Sequence, residues 1–178
     1  NTIHYNPNVT YTTWRTSIGG FFPNTPYTAV YSSTTLASGG TISLAGADQV
    51  FHVPKNGITN INDATQYFRY TIKTNGTIER TERTNLAGVW AWRNPTNITT
   101  LNWTDPTTGA AVVRTVAQEQ QNYATWYSFH RTRMKVAKAG SGAAFNDLGE
   151  NIRVGFDTIN NSGANRRNIP VGTDNGLF

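Results

Sequence analysis

Near Ala117 the chain changes its period, and that change limits what it can fold into. Before it, short runs rich in Val, Thr, Tyr and Trp alternate with turn formers, as antiparallel strands do. After it, apolar residues return at steps of three and four, which places them on one face of a helix. With 178 residues the chain has room for one domain of ordinary size. The expected fold class is therefore α+β: a β-rich, Thr/Asn-rich part over residues 1–116, then a long helix, a strand and a loop over residues 117–178, in one compact unit.

The strand candidates are Val9–Trp14, Tyr27–Tyr31, Gln49–Val53, Gln66–Lys73, Val89–Trp92 and Ala111–Thr115. Gln49–Val53 ends at Pro54-Lys55-Asn56-Gly57, and Gln66–Lys73 turns back through Asn75-Gly76. Asn-Gly suits a two-residue type I′ turn, because both central residues need positive φ. Residues 32–46 and 94–109 hold few large apolar side chains and read as surface loops or short strands, with Asn94-Pro95 and Asp105-Pro106 as turn chemistry. No repeat of fixed period is visible, which argues against a propeller or solenoid within this stretch.

The helix is expected from about Gln118 to Leu148, with Trp126, Tyr127, Met134, Ala137, Phe145 and Leu148 on its apolar stripe. Arg131, Lys135 and Lys138 follow at helical steps on another face, expected to point outward or toward an acidic partner. Gly140-Ser141-Gly142 predicts a kink or a close backbone approach, Gly149 a stop, and Asn151–Phe156 a strand. The net charge of +5 gathers partly on this helix, beside His130, with a second pair at Arg166 and Arg167. Such a patch can attract a polyanion, although a charge run more often decorates a solvated face.

Several chemistries are excluded or find no pattern. There is no cysteine, hence no disulfide, thiolate metal site or thiol nucleophile. No run approaches the ~20 apolar residues of a membrane span. The start at Asn1, without Met or leader, predicts a mature, trimmed or excised fragment. His4, His52 and His130 lack metal-binding spacing and read as structural, and no nucleophile elbow, P-loop or dinucleotide fingerprint occurs. Glu79 and Glu82, among Arg80 and Arg83, read as surface pairing. The five tryptophans and the tyrosines could form a carbohydrate or receptor platform, though core packing is the commoner use. Trp103, in a Pro/Gly/Thr-rich stretch, is the least core-like of them. The candidate binding residues are thus Trp103, Arg131, Lys135 and Lys138, with no catalytic or metal-ligating residue.

Two stretches carry a resemblance to a known family. Gln121–Phe156, QNYATWYSFHRTRMKVAKAGSGAAFNDLGENIRVGF, resembles the NFANWYSYYRTRM…AK…AF…NIRVGF stretch of the PilC/PilY family of type IV pilus tip proteins. The segment from Tyr5 to Trp14, YNPNVTYTTW, resembles that family's YYNPxVTYxPW signature, departing from it at His4 and Thr13. The resemblance implies a segment of the N-terminal, von Willebrand factor A-like region, with the β-rich part as an insertion ahead of the first helix of that fold. It implies a non-enzymatic protein at the pilus tip, outside a bacterial cell, acting in surface adhesion and pilus biogenesis. The implied partners are pilus or minor pilin subunits and a host or abiotic surface. The family's Asp-x-Ser-x-Ser metal motif is missing, so no cofactor is expected within this segment and a divalent metal only in an intact parent domain. Two other readings stand beside it: a basic module binding nucleic acid or another polyanion, and a structural subunit of a surface filament.

Overall fold

The computed structural model describes residues 3–16, 20–34 and 40–148. The predicted strand at Asn151–Phe156, the stop at Gly149 and the Arg166-Arg167 pair lie outside these residues. The described part is mixed α and β, with three antiparallel sheets and two helices.

Strands β1 (Val30–Tyr31) and β2 (Thr41–Ile42) pair as a short ribbon. The main sheet is a four-stranded meander in sequence order: β3 (Gln49–Pro54), β4 (Tyr67–Ile72), β5 (Ile78–Leu86) and β6 (Val89–Ile98). A second ribbon joins β7 (Thr100–Thr104) to β8 (Ala111–Thr115). Helix α1 (Val116–Phe129) follows β8 directly, and α2 (Arg133–Asn146) follows after three residues. Val9–Trp14, expected as a strand, belongs to none of these sheets; an isolated bridge just beyond it pairs Arg15 with Phe21.

The β4–β5 hairpin forms where Asn75-Gly76 predicts it, but through a different turn. Gly76 N–H donates to Lys73 O, Lys73 N–H donates to Thr77 O, and Gly76 alone has positive φ, at 84°. Asn75 instead accepts from Thr77 N–H and Oγ1–H with its side chain, so the glycine takes the left-handed position of a three-residue loop. The two-residue turn with both residues at positive φ lies in β5–β6, at Ala87 (50°) and Gly88 (81°), between the paired Leu86 and Val89. Asn94-Pro95, read as a turn, lies inside β6. There Arg80 faces Thr96 and Glu82 faces Arg93, so Thr81 is opposed by two residues. This bulge seats a proline within a strand, because the bulged residue needs no ladder bond.

The expected single helix is two. The break comes at residues 130–132, where Thr132 caps α2 by accepting from Lys135 N–H. Gly140 and Gly142, expected to kink the helix, lie within α2; Gly142 approaches the Arg15 side chain and Gly140 faces open space. A capping threonine supplies a fresh start that helical periodicity alone hides.

One core unites both halves of the sequence. The inner face of the main sheet contributes Phe51, Val53, Tyr70, Ile72 and Ile78; β7 adds Leu101 and Trp103; α1 adds Tyr123, Ala124 and Trp126. Tyr5 sits between them, its ring 5.1 Å from Phe51, 4.9 Å from Tyr123 and 5.4 Å from Trp126.

Candidate functional site

The two stretches that carry the family resemblance meet in space through Asn122, beside a buried ion pair of Arg114 and Glu119 that holds the first of them. Thr115 caps α1 with Gln118 in a reciprocal capping box, which sets Glu119 in the first turn facing inward. Glu119 is fully buried. Its Oε1 accepts from Tyr5 Oη–H at 2.6 Å, and its Oε2 accepts from Trp103 Nε1–H and Arg114 Nη1–H, both at 3.1 Å. Arg114, on β8, also donates to Pro7 O, Val9 O and Thr10 Oγ1. Asn122 donates to Tyr5 Oη and Val9 O and accepts from Tyr11 N–H. Burial, reinforced by the Glu119 charge, pushes the Tyr5 phenol far above its ordinary range. The carboxylate accepts three hydrogen bonds and faces no solvent, so this cluster is a clasp that fixes residues 5–11 against α1.

That geometry places the first candidate. Trp103, expected in an exposed loop, lies on β7 with 9% of its surface exposed. The alternation of Thr100–Thr104 points Leu101 and Trp103 inward together, and the indole N–H finds its acceptor in Glu119.

The three cations of the predicted basic face are used on backbone. Arg131 donates to Ser32 O, Lys135 to Tyr31 O and Tyr127 O, and Lys138 to Thr34 O. Arg131 and Lys138 also stand over the rings of Tyr127 and Trp14, at 4.1 and 5.2 Å. Lys135, expected outward, is fully buried, while Met134 and Phe145, expected in the core, are 57% and 50% exposed. Burial, with Arg131 adding to it, pushes the Lys135 ammonium down to about 8. The reversal follows from the chain break at 130–132: α2 starts on a new phase, and its inward position meets carbonyls rather than apolar side chains. His130 sits at the break with its Nε2 2.6 Å from Thr12 O, and burial holds its pKa below the ordinary value.

A solvent-facing site lies on the opposite side of the molecule. With Phe51, Val53 and Tyr70 turned inward, the pleat turns His52, Tyr67, Arg69, Arg83 and Trp92 to the outer face of the main sheet. Trp92 reaches across β5: its ring centre lies 5.4 Å from the His52 ring and 5.2 Å from the Arg69 guanidinium carbon. Arg83 is its cross-strand partner, and Trp90, two residues along, is half exposed. Tyr67, His52 and Trp92 line a cleft of about 220 Å³ with Ile61, Asn62 and Ala64 of the β3–β4 connection.

That connection is held by its own bonds. Gln66 Oε1 accepts from Thr59 N–H and Asn60 N–H, Asp63 caps the short turn at Ala64–Gln66, and Tyr67 Oη–H donates to Ile61 O. Burial and then Arg69 lower the His52 pKa, so its imidazole is neutral at neutral pH. The sequence did signal the cleft: Val89-Trp90-Ala91-Trp92 puts both indoles on one face of a strand, and His52 and Arg69 each alternate with inward residues. The contribution of residues 61–64 had no such signal, because it depends on how that connection folds back.

Among the described residues, no group of three His, Cys, Asp or Glu side chains is placed to hold a metal ion, and no helix is long and apolar enough to cross a membrane.

Comparison with known proteins adds one partial likeness. The chain is 41% identical over 49 residues to the type IV pilus biogenesis factor PilY1 of Pseudomonas aeruginosa strain PAO1, which is 28% of this chain. It is 44% identical over 46 residues, 26% of the chain, to PilY1 of strain PAK. The match spans only 4% of the length of either relative. No family model matches, and no solved structure matches. The likeness links this chain to type IV pili.

Proposed function

We propose that this chain is a non-enzymatic, type IV pilus-associated segment that acts outside the cell in surface adhesion and pilus biogenesis. The observation that carries the reading is the local identity to PilY1, a protein named for pilus biogenesis. The fold is compatible with it. The two resembling stretches interlock through Asn122, which bonds Tyr5, Val9 and Tyr11, and the neighbouring Arg114 and Glu119 hold the first stretch in the same place. The partners that follow are pilus or minor pilin subunits and a contacted surface.

The polyanion-binding alternative draws little from α2, whose Arg131, Lys135 and Lys138 already donate to carbonyls of residues 31–34. The test is an in-frame removal of the coding sequence for this segment in the source bacterium, with pilus number and surface attachment counted. Loss of either is expected. Unchanged piliation together with unchanged attachment overturns the reading.

A further inference from the structure

The cleft on the outer face of the main sheet plays no part in the clasp or in the packing of α1. We propose that it binds the terminal acidic sugar of a glycan, with the sugar ring against Trp92 and the sugar's carboxylate directed toward Arg69 and Arg83. The inference goes beyond the pilus reading and rests on the cleft alone.

Size is the first argument. At about 220 Å³ the cleft is below the roughly 300–1,000 Å³ range of pockets that enclose drug-sized ligands. It suits the end of a chain more than a buried cofactor. Three rings, those of Trp92, Tyr67 and His52, line it together with Ile61, Asn62 and Ala64. Aromatic side chains offer a flat apolar area with little conformational freedom to lose, which suits the apolar face of a sugar ring. Asn62 provides amide donors and an acceptor in the same lining.

Charge selects among sugars. Arg69 stacks beneath Trp92, and its buried Nε–H finds no acceptor within the protein. Arg83 stands directly across from Trp92 on β5. The carboxylate nearest the rim, Asp63, is turned into its own loop, accepting from Thr65 N–H and Oγ1–H. Another on this face, Glu79, stands opposite Thr71, one same-face pair beyond Arg69. One guanidinium against the aromatic wall, with a second arginine at the register position facing Trp92, favours a planar anion, since guanidinium matches carboxylate geometry. The β3–β4 connection is bonded internally before any ligand arrives, which limits the ordering that binding must impose.

The test is a nuclear magnetic resonance titration of the 178-residue chain with sialyllactose and, separately, with lactose, which lacks only the acidic sugar. The expected result is a saturable shift of the Trp92 indole N–H with sialyllactose, and binding of lactose weaker by about tenfold or more. Trp92→Ala should weaken sialyllactose binding by a similar factor. Because Trp92 also packs on Arg69, a second variant guards against loss of fold. Ile61 is 73% exposed, so Ile61→Asp should leave the spectrum folded while placing a negative charge at the rim that abolishes binding. No saturable shift at Trp92, equal affinity for lactose, or Ile61→Asp binding as well as the parent chain would each overturn the proposal. None of these outcomes bears on the attachment phenotype of the deletion strain, so the two readings fail separately.

Discussion

Helices α1 and α2 are both fourteen residues long and adjacent in sequence, yet they live in different surroundings. Eight residues of α1 are buried, among them Phe129, Trp126 and Glu119; in α2 only Lys135 is. Each begins with a capping threonine, so local propensity does not separate them. What separates them is what lies opposite. α1 meets β1, β7, β8 and the clasped N-terminal segment, whereas the lysines of α2 meet backbone carbonyls at Tyr31, Thr34 and Tyr127. Helical periodicity shows that a face exists, and the neighbours decide whether that face is apolar.

The sharpest way to break this contrast is inside α1. Glu119→Ala leaves Arg114 buried without its partner and strands the Tyr5 and Trp103 donors. The expected loss is about 3–5 kcal/mol, as for removal of one member of a buried pair, measured by denaturant unfolding. Phe129→Ala, at a fully buried position packed on Trp14 and Tyr31, should lose a comparable ~3–5 kcal/mol.

Next comes Lys135, the one buried residue of α2. Its ammonium titrates near 8 in the folded chain and at the ordinary 10.5 when unfolded. Between those values the unfolded chain binds more protons, so stability rises with pH. From about pH 8 to pH 9.5 the gain should be about 1.5 kcal/mol, and Lys135→Met should flatten that slope. The window closes near pH 10, because buried Tyr5 and half-buried Tyr27 have raised folded values; their contribution is lost as unfolded phenols begin to ionise. A chemical-denaturation series at stepped pH reads both effects.

Thr115→Ala removes the acceptor of the α1 capping box and should lower stability by about 1 kcal/mol, with no change in the pH slope. The smallest effect belongs to the exposed end of α2. Phe145→Ala should shift stability by no more than about 0.5 kcal/mol. A loss near that of Phe129→Ala would mean that α2 has a packed face after all.

Much of the sheet was legible beforehand, because β3 and β4 alternate and end at turn formers, while β8 ends where the period changes to that of α1. Trp103 was misread because its flanking Thr, Asn and Pro residues suggest a loop, and its acceptor Glu119 lies 16 residues away. Lys135 was misread for a related reason: period places a residue on a face, but the acceptors at Tyr31 and Tyr127 come from tertiary structure. The outer-face cleft was half legible. The spacing of Trp90 and Trp92 is local information, while the approach of Ile61 and Asn62 is not.

The clasp also has a consequence for the order in which the molecule can be built. Tyr5 and Glu119 are separated by 114 positions, so on the ribosome the first half of this contact waits for nearly all of the described chain. Until α1 emerges, the inner face of the sheet has no lid, and Tyr5, Phe51 and Tyr70 stay open to unwanted company. Closing so long a loop is slow compared with forming a hairpin, since entropy is lost before the distant contact gives anything back. Synthesis therefore passes through a stage in which strands are ready and their cover is missing, and that stage is where the nascent chain most needs shelter from aggregation.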